Sequence, residues 1–273
     1  MGADTKALKA RIKSVDSSLH LTKAMALVAS SKIRRAGLEM KKSREYASAL
    51  QAIVDDLKIS PELKKNPYLR KAEDQDGSKT RLITIAGDRG LAGGYNSNVF
   101  KLVSNYPKAQ IIPIGRRICD RIDLPSVSSE YYGYEDAIGL AKSLCEDFRE
   151  GRYDRLGIIC TRYISMMAQE AEIRWILPLS ADGEEQERHK SGMIFEPDEE
   201  TVLNEAIPEY VAGMLIAAVR ESFASEVAAR RMAMDSAQKN AEQMMEDLEL
   251  QYNRARQSSI TQEITEIVAG SGK

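Results

Sequence analysis

The chain has 273 residues, 43% of them hydrophobic and 29% charged, which is enough for a real core and one to two domains. Its formal net charge of −2 hides a split, with eleven Lys/Arg against three acids in residues 1–44 and six against nine in 214–269. Cys119, Cys145 and Cys160 show no CxxC spacing, so neither a zinc site nor a disulfide framework is suggested; a reducing compartment is the simpler reading. No apolar run approaches the roughly 18 residues needed to cross a bilayer, and Met1–Lys13 has no apolar signal core.

The first segment, residues 1–59, keeps a 4,3 rhythm through Leu8, Ile12, Val15, Leu19, Thr22, Ala26, Ala29, Ile33, Ala36, Met40, Ser43, Ala47, Leu50, Val54 and Leu57. Thirteen of those fifteen slots are apolar, the signature of a coiled-coil helix rather than a short amphipathic one. Pro61 closes it. Residues 60–79 combine two Pro with a charge-rich, apolar-poor stretch and read as a linker or mobile loop.

From 80 to 195 the pattern changes. Arg81–Ala86, Gln110–Ile114 and Leu156–Thr161 read as buried strands, and Ser97–Ser104 and Glu135–Phe148 as helices between them. That alternation predicts a small, mostly parallel, Rossmann-like α/β sheet. Arg162–Leu179 reads as a turn and a last strand, an antiparallel edge, before the polar loop Ser180–Gly192. Phe195–Glu199 (FEPDE) resembles a helix start, so residues 196–273 form the last segment. Met214–Ala269 contains no Pro or Gly in 56 positions, a helix of roughly 84 Å if unbroken. Its seam is Phe223, Val227, Met234, Ala237, Ala241, Met244, Leu248 and Ala255, with Arg230 and Gln251 in the polar slots. Two such helices at opposite ends of one chain, oppositely charged, most simply pair antiparallel.

The Gly-rich turn Gly87–Asn96 (GDRGLAGGYN) invites a phosphate-binding reading, but it lacks GxGxxG, GK[ST] and a ribose-binding acid about twenty residues on. A sharp turn exposing Asp88, Arg89 and Asn96 as a contact surface fits better. His20 and His189 are the only histidines and lie in separate segments, and no Ser/His/Asp or Cys/His constellation can be assembled. The basic first helix lacks the aromatic platform of a nucleic-acid binder.

Leu21–Lys32 (LTKAMALVASSK), the Gly-rich turn, RYISMMAQEAEIRWILPL, FEPDE and Leu250–Gly270 (LQYNRARQSSITQEITEIVAG) together resemble the gamma subunit of F-type ATP synthases of the bacterial kind. The resemblance covers essentially the whole chain in the right order. It implies an antiparallel coiled coil of the two terminal helices with an α/β domain inserted between them. It also implies a rotor that couples ion flow through a membrane c-ring to the catalytic beta subunits, at the cytoplasmic face of the cell inner membrane. The implied partners are the alpha and beta subunits, epsilon and the c-ring, with no nucleic acid and no membrane insertion. Mg-ATP or ADP would sit on partner subunits, leaving this chain with no cofactor, metal or catalytic site. Met25, Arg254, Arg256 and Gln257 would contact beta loops, Arg89 would face the ring, and Thr261 and Glu263 would lie near the bearing. Ile260, Ile264, Ile267 and Val268 would form an apolar bearing tip. One departure is visible: Ala228–Met234 reads AARRMAM, with Arg231 where the family tends to be apolar. The alternative is a non-rotating coiled-coil adaptor carrying a small α/β domain.

Overall fold

A computed structural model of the chain describes residues 2–72, 77–179 and 195–270. The long elements are helix α1 (Gly2–Leu57) and helix α5 (Glu199–Gly270); between them lie β1 (Thr80–Ile85), α2 (Tyr95–Ser104), β2 (Gln110–Ile114), α3 (Arg116–Ile122), α4 (Tyr134–Arg149), β3 (Arg155–Tyr163) and β4 (Gln169–Leu177). The chain divides into two compact units, Ser31–Ala229 and Met1–Ser30 with Arg230–Lys273.

In the first of these, the sheet has the order β2-β1-β3-β4. β1 pairs parallel with both β2 and β3, and β4 closes the sheet as an antiparallel edge. The inner strands are apolar on both sides because both faces are covered. On one face Ile83, Ile85 and Ile158 pack with Ala137, Ala141, Leu144 and Phe148 of α4 and with Leu203, Ile207, Val211, Leu215 and Val219 of α5. On the other, Leu82, Ala86 and Ile159 pack with Val99 of α2 and Ile118 of α3. Helix α3, seven residues long, is too short to leave a periodic signal and was not expected from the sequence.

Helix α5 starts at an Asp cap: the Asp198 carboxylate accepts the Thr201 N–H at 2.8 Å and its hydroxyl at 2.8 Å. Those bonds hold the Asp198 carboxyl below its usual range. The helix then runs through Pro208 without ending. An interior Pro costs about 3 kcal/mol, but Leu203, Ile207, Val211 and Leu215 are fully buried around it, and each is worth roughly 1.5–3 kcal/mol of apolar burial. Gly213 is there for close approach, since a Cβ would lie 2.5 Å from Cδ1 of Leu50 on α1. α1 and α5 run antiparallel here, with Gln51 bonded to Tyr210 and Arg44 to Glu221.

An 18-residue window of α5 has mean hydropathy 1.4, long and apolar enough by composition to cross a membrane. The expectation that no such stretch exists missed it because Glu205 and Glu209 interrupt any unbroken apolar run. Half of that window is buried, its apolar residues forming the core just described.

The expected linker 60–79 is corrected in its first half. Two 3-10 turns, Pro61–Lys65 and Pro67–Leu69, start at Ser60 and Asn66, whose side chains accept the N–H groups of Glu62 and Tyr68. Leu63 and Tyr68 are 1% exposed, Tyr68 stacking on Phe148 at 5.8 Å. Charge-rich composition concealed two core anchors. The loop expected over Ser180–Gly192 lies outside the described residues.

In the second unit, every slot of the α1 seam from Leu8 to Ala29 is buried or half-buried. On α5, Met234, Ala241 and Leu248 are buried, and Lys23 pairs with Glu242 at 3.4 Å. Terminal helices of opposite charge thus share an antiparallel coiled coil. Its distal seam differs in phase from the expected one. Met244 is 43% exposed and Gln251 is exposed, whereas Met245, Tyr252, Ala255 and Ser259 turn inward with Leu248. The 241-245-248-252-255-259 path keeps the 4,3 alternation and puts the larger Tyr252 in the seam.

Candidate partner-contact surfaces

The end of α5 presents distinct faces. From Ile260 to Gly270 every residue is exposed. At about 100° per residue, Arg254, Gln257 and Thr261 form one stripe roughly opposite the seam. Arg256 lies about 160° round from Arg254, and with Glu263 falls on the seam's flank. Sequence proximity had grouped Arg254, Arg256 and Gln257, but helical geometry separates Arg256 from the other two. The Thr261 hydroxyl is turned to its own helix, donating to the Gln257 carbonyl at 2.9 Å. Ile260, Ile264 and Ile267, spaced four and three apart, make an apolar ridge, 43%, 56% and 70% exposed, with Val268 beside it.

On α1, Met25 is half-buried and is the middle of a second ridge, Leu21–Met25–Val28, whose outer members are 62% and 58% exposed. The sequence reading named Met25 alone. The i, i+4, i+7 spacing of Leu21 and Val28, read beside the seam instead of within it, would have found the other two. His20 sits 3.6 Å from Asp16 one turn earlier on the same helix. His189 lies outside the described residues.

In the α/β unit the Gly-rich turn follows β1. Asp88 and Asn96, expected to be displayed, are half-buried struts. The Asp88 carboxylate accepts from the N–H groups of Arg116, Ser129 and Glu130 and from the Ser128 hydroxyl. Burial works against its charge, but the four donors outweigh burial and hold the carboxyl below the usual range. Asn96 accepts the Gly87 N–H at 2.9 Å and donates to the Arg89 carbonyl. A Cβ at Gly87 would lie 2.7 Å from the buried carboxylate carbon of Glu226, so the glycine serves close packing against α5. What the turn exposes is Arg89 and Leu91. Exposed Arg116 and Arg117 join them, because their backbone N–H groups are tied to Asp88 and Gly87. Those two arginines escaped the sequence reading because α3 did.

Among the described residues no group of three or more His, Cys, Asp and Glu is arranged to hold a metal ion. Burial pushes the Cys145 and Cys160 thiols up to about 12, as expected of packing groups rather than nucleophiles.

A sequence model described as ATP synthase matches residues 4–272. The ATP synthase gamma chain of Alkaliphilus metalliredigens is 38% identical over 288 aligned positions, covering 99% of both chains. The gamma chain of Stenotrophomonas maltophilia is 35% identical, covering 98% of this chain and 99% of its own. This chain belongs to the ATP synthase gamma chain family. Solved structures share its fold. A chain of the Euglena gracilis mitochondrial ATP synthase, in a structure of its OSCP, F1 and c-ring, superposes with a TM-score of 0.69 at 18% identity, covering 99% of this chain and 94% of that one. One from the central stalk and c-ring of Tetrahymena thermophila mitochondrial ATP synthase gives 0.61 at 22% identity, covering 80% and 99%. Arg231, the visible departure from the gamma pattern, has a local partner: its Nε lies 3.0 and 2.9 Å from the two carboxylate oxygens of Asp235 one turn on.

Proposed function

We propose that the chain is the central-stalk rotor of an F-type ATP synthase, coupling ion-driven rotation of a membrane c-ring to sequential changes in the catalytic beta subunits. The observation that carries this reading is the distal end of α5. It is exposed all round, with a polar stripe on one side and an apolar ridge on another. A body at the centre of a threefold ring can bias three identical subunits differently only if it offers each a different contact free energy. A helix end with unlike faces does that. Arg254 and Gln257 suit carboxylates and carbonyls of a partner loop. The Leu21–Met25–Val28 ridge supplies an apolar contact, and Arg89 with Arg116 and Arg117 suits an acidic one. The Ile260, Ile264 and Ile267 ridge suits an apolar bearing, where few directional bonds would oppose turning. In this reading the nucleotide chemistry belongs to beta, and the chain works as a non-catalytic subunit with alpha, beta, epsilon and the c-ring. Its place is the cytoplasmic face of the cell inner membrane.

The test is reconstitution. Mixed with alpha and beta subunits, one copy should enter a three-plus-three ring and activate Mg-ATP hydrolysis that the chain alone lacks. Failure to join the ring or to change the rate would overturn the rotor reading in favour of a static adaptor. Ile264→Asp with Ile267→Asp should impair assembly or turnover; unchanged values would remove the bearing role.

A further inference from the structure

β3 outruns its parallel neighbour. Its pairing with β1 ends at Thr84 opposite Ile159, while the strand continues to Tyr163 with only β4 beside it. On the vacated flank one turn of α5 takes the place of a strand. Ser222 Oγ accepts the Thr161 N–H at 3.0 Å, Ser225 Oγ donates to the Thr161 carbonyl at 3.2 Å, and Glu221 Oε1 accepts the Tyr163 N–H at 3.1 Å. The Glu221 side chain is 5% exposed and binds two guanidinium groups as well, Arg44 of α1 and Arg174 of β4, each at 2.8 Å. Arg174 is held in turn by Glu172 at 2.6 Å. One carboxylate therefore ties both long helices to both strands of the β3–β4 hairpin.

The apolar contacts that hold α5 to the sheet are non-directional, so they resist separation far better than rolling. Charge-assisted hydrogen bonds are short and directional, and a bond set reaching in several directions opposes rotation of the helix about its own axis. Buried ion pairs are also poor stabilisers, because desolvation offsets their attraction and apolar replacements are often neutral. A buried carboxylate bonded in three directions beside a large apolar core, with its Arg174 partner half-buried and its Arg44 partner exposed, therefore fits a role in fixing position rather than in adding stability. We propose that Glu221 is a positioning residue that locks the sheet to α1 and α5 against twist, the join through which torque passes between the α/β unit and the long helices. This rests on the rotor reading and deepens it.

The experiment uses the assembled complex, with beta immobilised by a non-hydrolysable nucleotide and a rod attached through Lys101→Cys on α2. Glu221→Gln removes the charge from both guanidinium bonds and turns an NH2 group toward at least one donor, so the angular variance of the rod should rise above wild type. Mg-ATP hydrolysis by the unlocked complex should be retained, and Arg44→Gln should give an intermediate variance. Ile207→Val, which loosens the core without touching the network, should leave the variance unchanged. Equal variance in Glu221→Gln and wild type, or equal broadening by Ile207→Val, would overturn the proposal. If Glu221→Gln does not assemble, Arg44→Gln decides: wild-type variance there overturns it and broadening supports it. A wild-type chain that fails to enter the complex would instead sink the rotor reading itself.

Discussion

Replacing Asp88 by Asn tests whether the Gly-rich turn is a strut. Oδ1 accepts from Arg116 N and Ser129 N at 3.0 Å each; Oδ2 accepts from the Ser128 hydroxyl and from Glu130 N at 3.2 Å. An amide keeps the shape but offers one oxygen, so one pair of donors must face an NH2 group. The Ser128 hydroxyl can rotate to accept from that group, whereas the Glu130 N–H cannot. One orphaned donor costs about 1–3 kcal/mol, and loss of charge weakens the bonds that remain. The sum is about 2–3 kcal/mol, or a melting midpoint lower by roughly 5–10 °C for a unit of this size. Urea and thermal unfolding of wild type and variant, followed by circular dichroism, measure it. The difference should also depend on pH. The Asp88 carboxyl is held below its unfolded range, so its stabilisation is present above the ordinary Asp pKa and is lost as pH falls through the lower folded value. A variant within about 0.5 kcal/mol of wild type near neutrality, where surface substitutions usually fall, would refute the strut.

Tyr68→Ala removes a ring stacked on Phe148 in a stretch that reads as linker, and should cost about 3–5 kcal/mol in urea denaturation. The three thiols are buried, and burial raises those of Cys145 and Cys160 to about 12. A disulfide reagent near neutral pH should therefore label none of them until urea unfolds the chain. Because an unfolded thiol ionises near about 8.5, stability should fall as pH rises beyond that value; a native-state labelling burst would contradict the packing. Truncation after Asn253 removes residues that are mostly exposed, so the α/β unit should keep its unfolding midpoint while activation of Mg-ATP hydrolysis by the reconstituted ring declines.

The two terminal helices, the strands of the sheet and the antiparallel edge were legible in the sequence, because 4,3 apolar spacing and short β-rich runs are local properties of consecutive residues. So was the family, carried by the order of motifs from Leu21 to Gly270. Tertiary structure decided the rest. Leu63 and Tyr68 look like polar-loop residues until α4 brings Phe148 over them. Asp88 looks like a displayed acid until α3 and the loop after it bring four donors to its oxygens. Met244 and Met245 are equivalent in composition, and helix pairing alone turns the second one inward. Glu221 gives no sign of its two arginines, which lie 177 and 47 positions away in the chain. Periodicity records which residues share a face of one element; which polar groups must find each other is known only when separate elements meet, since burial is what makes an unpartnered charge costly.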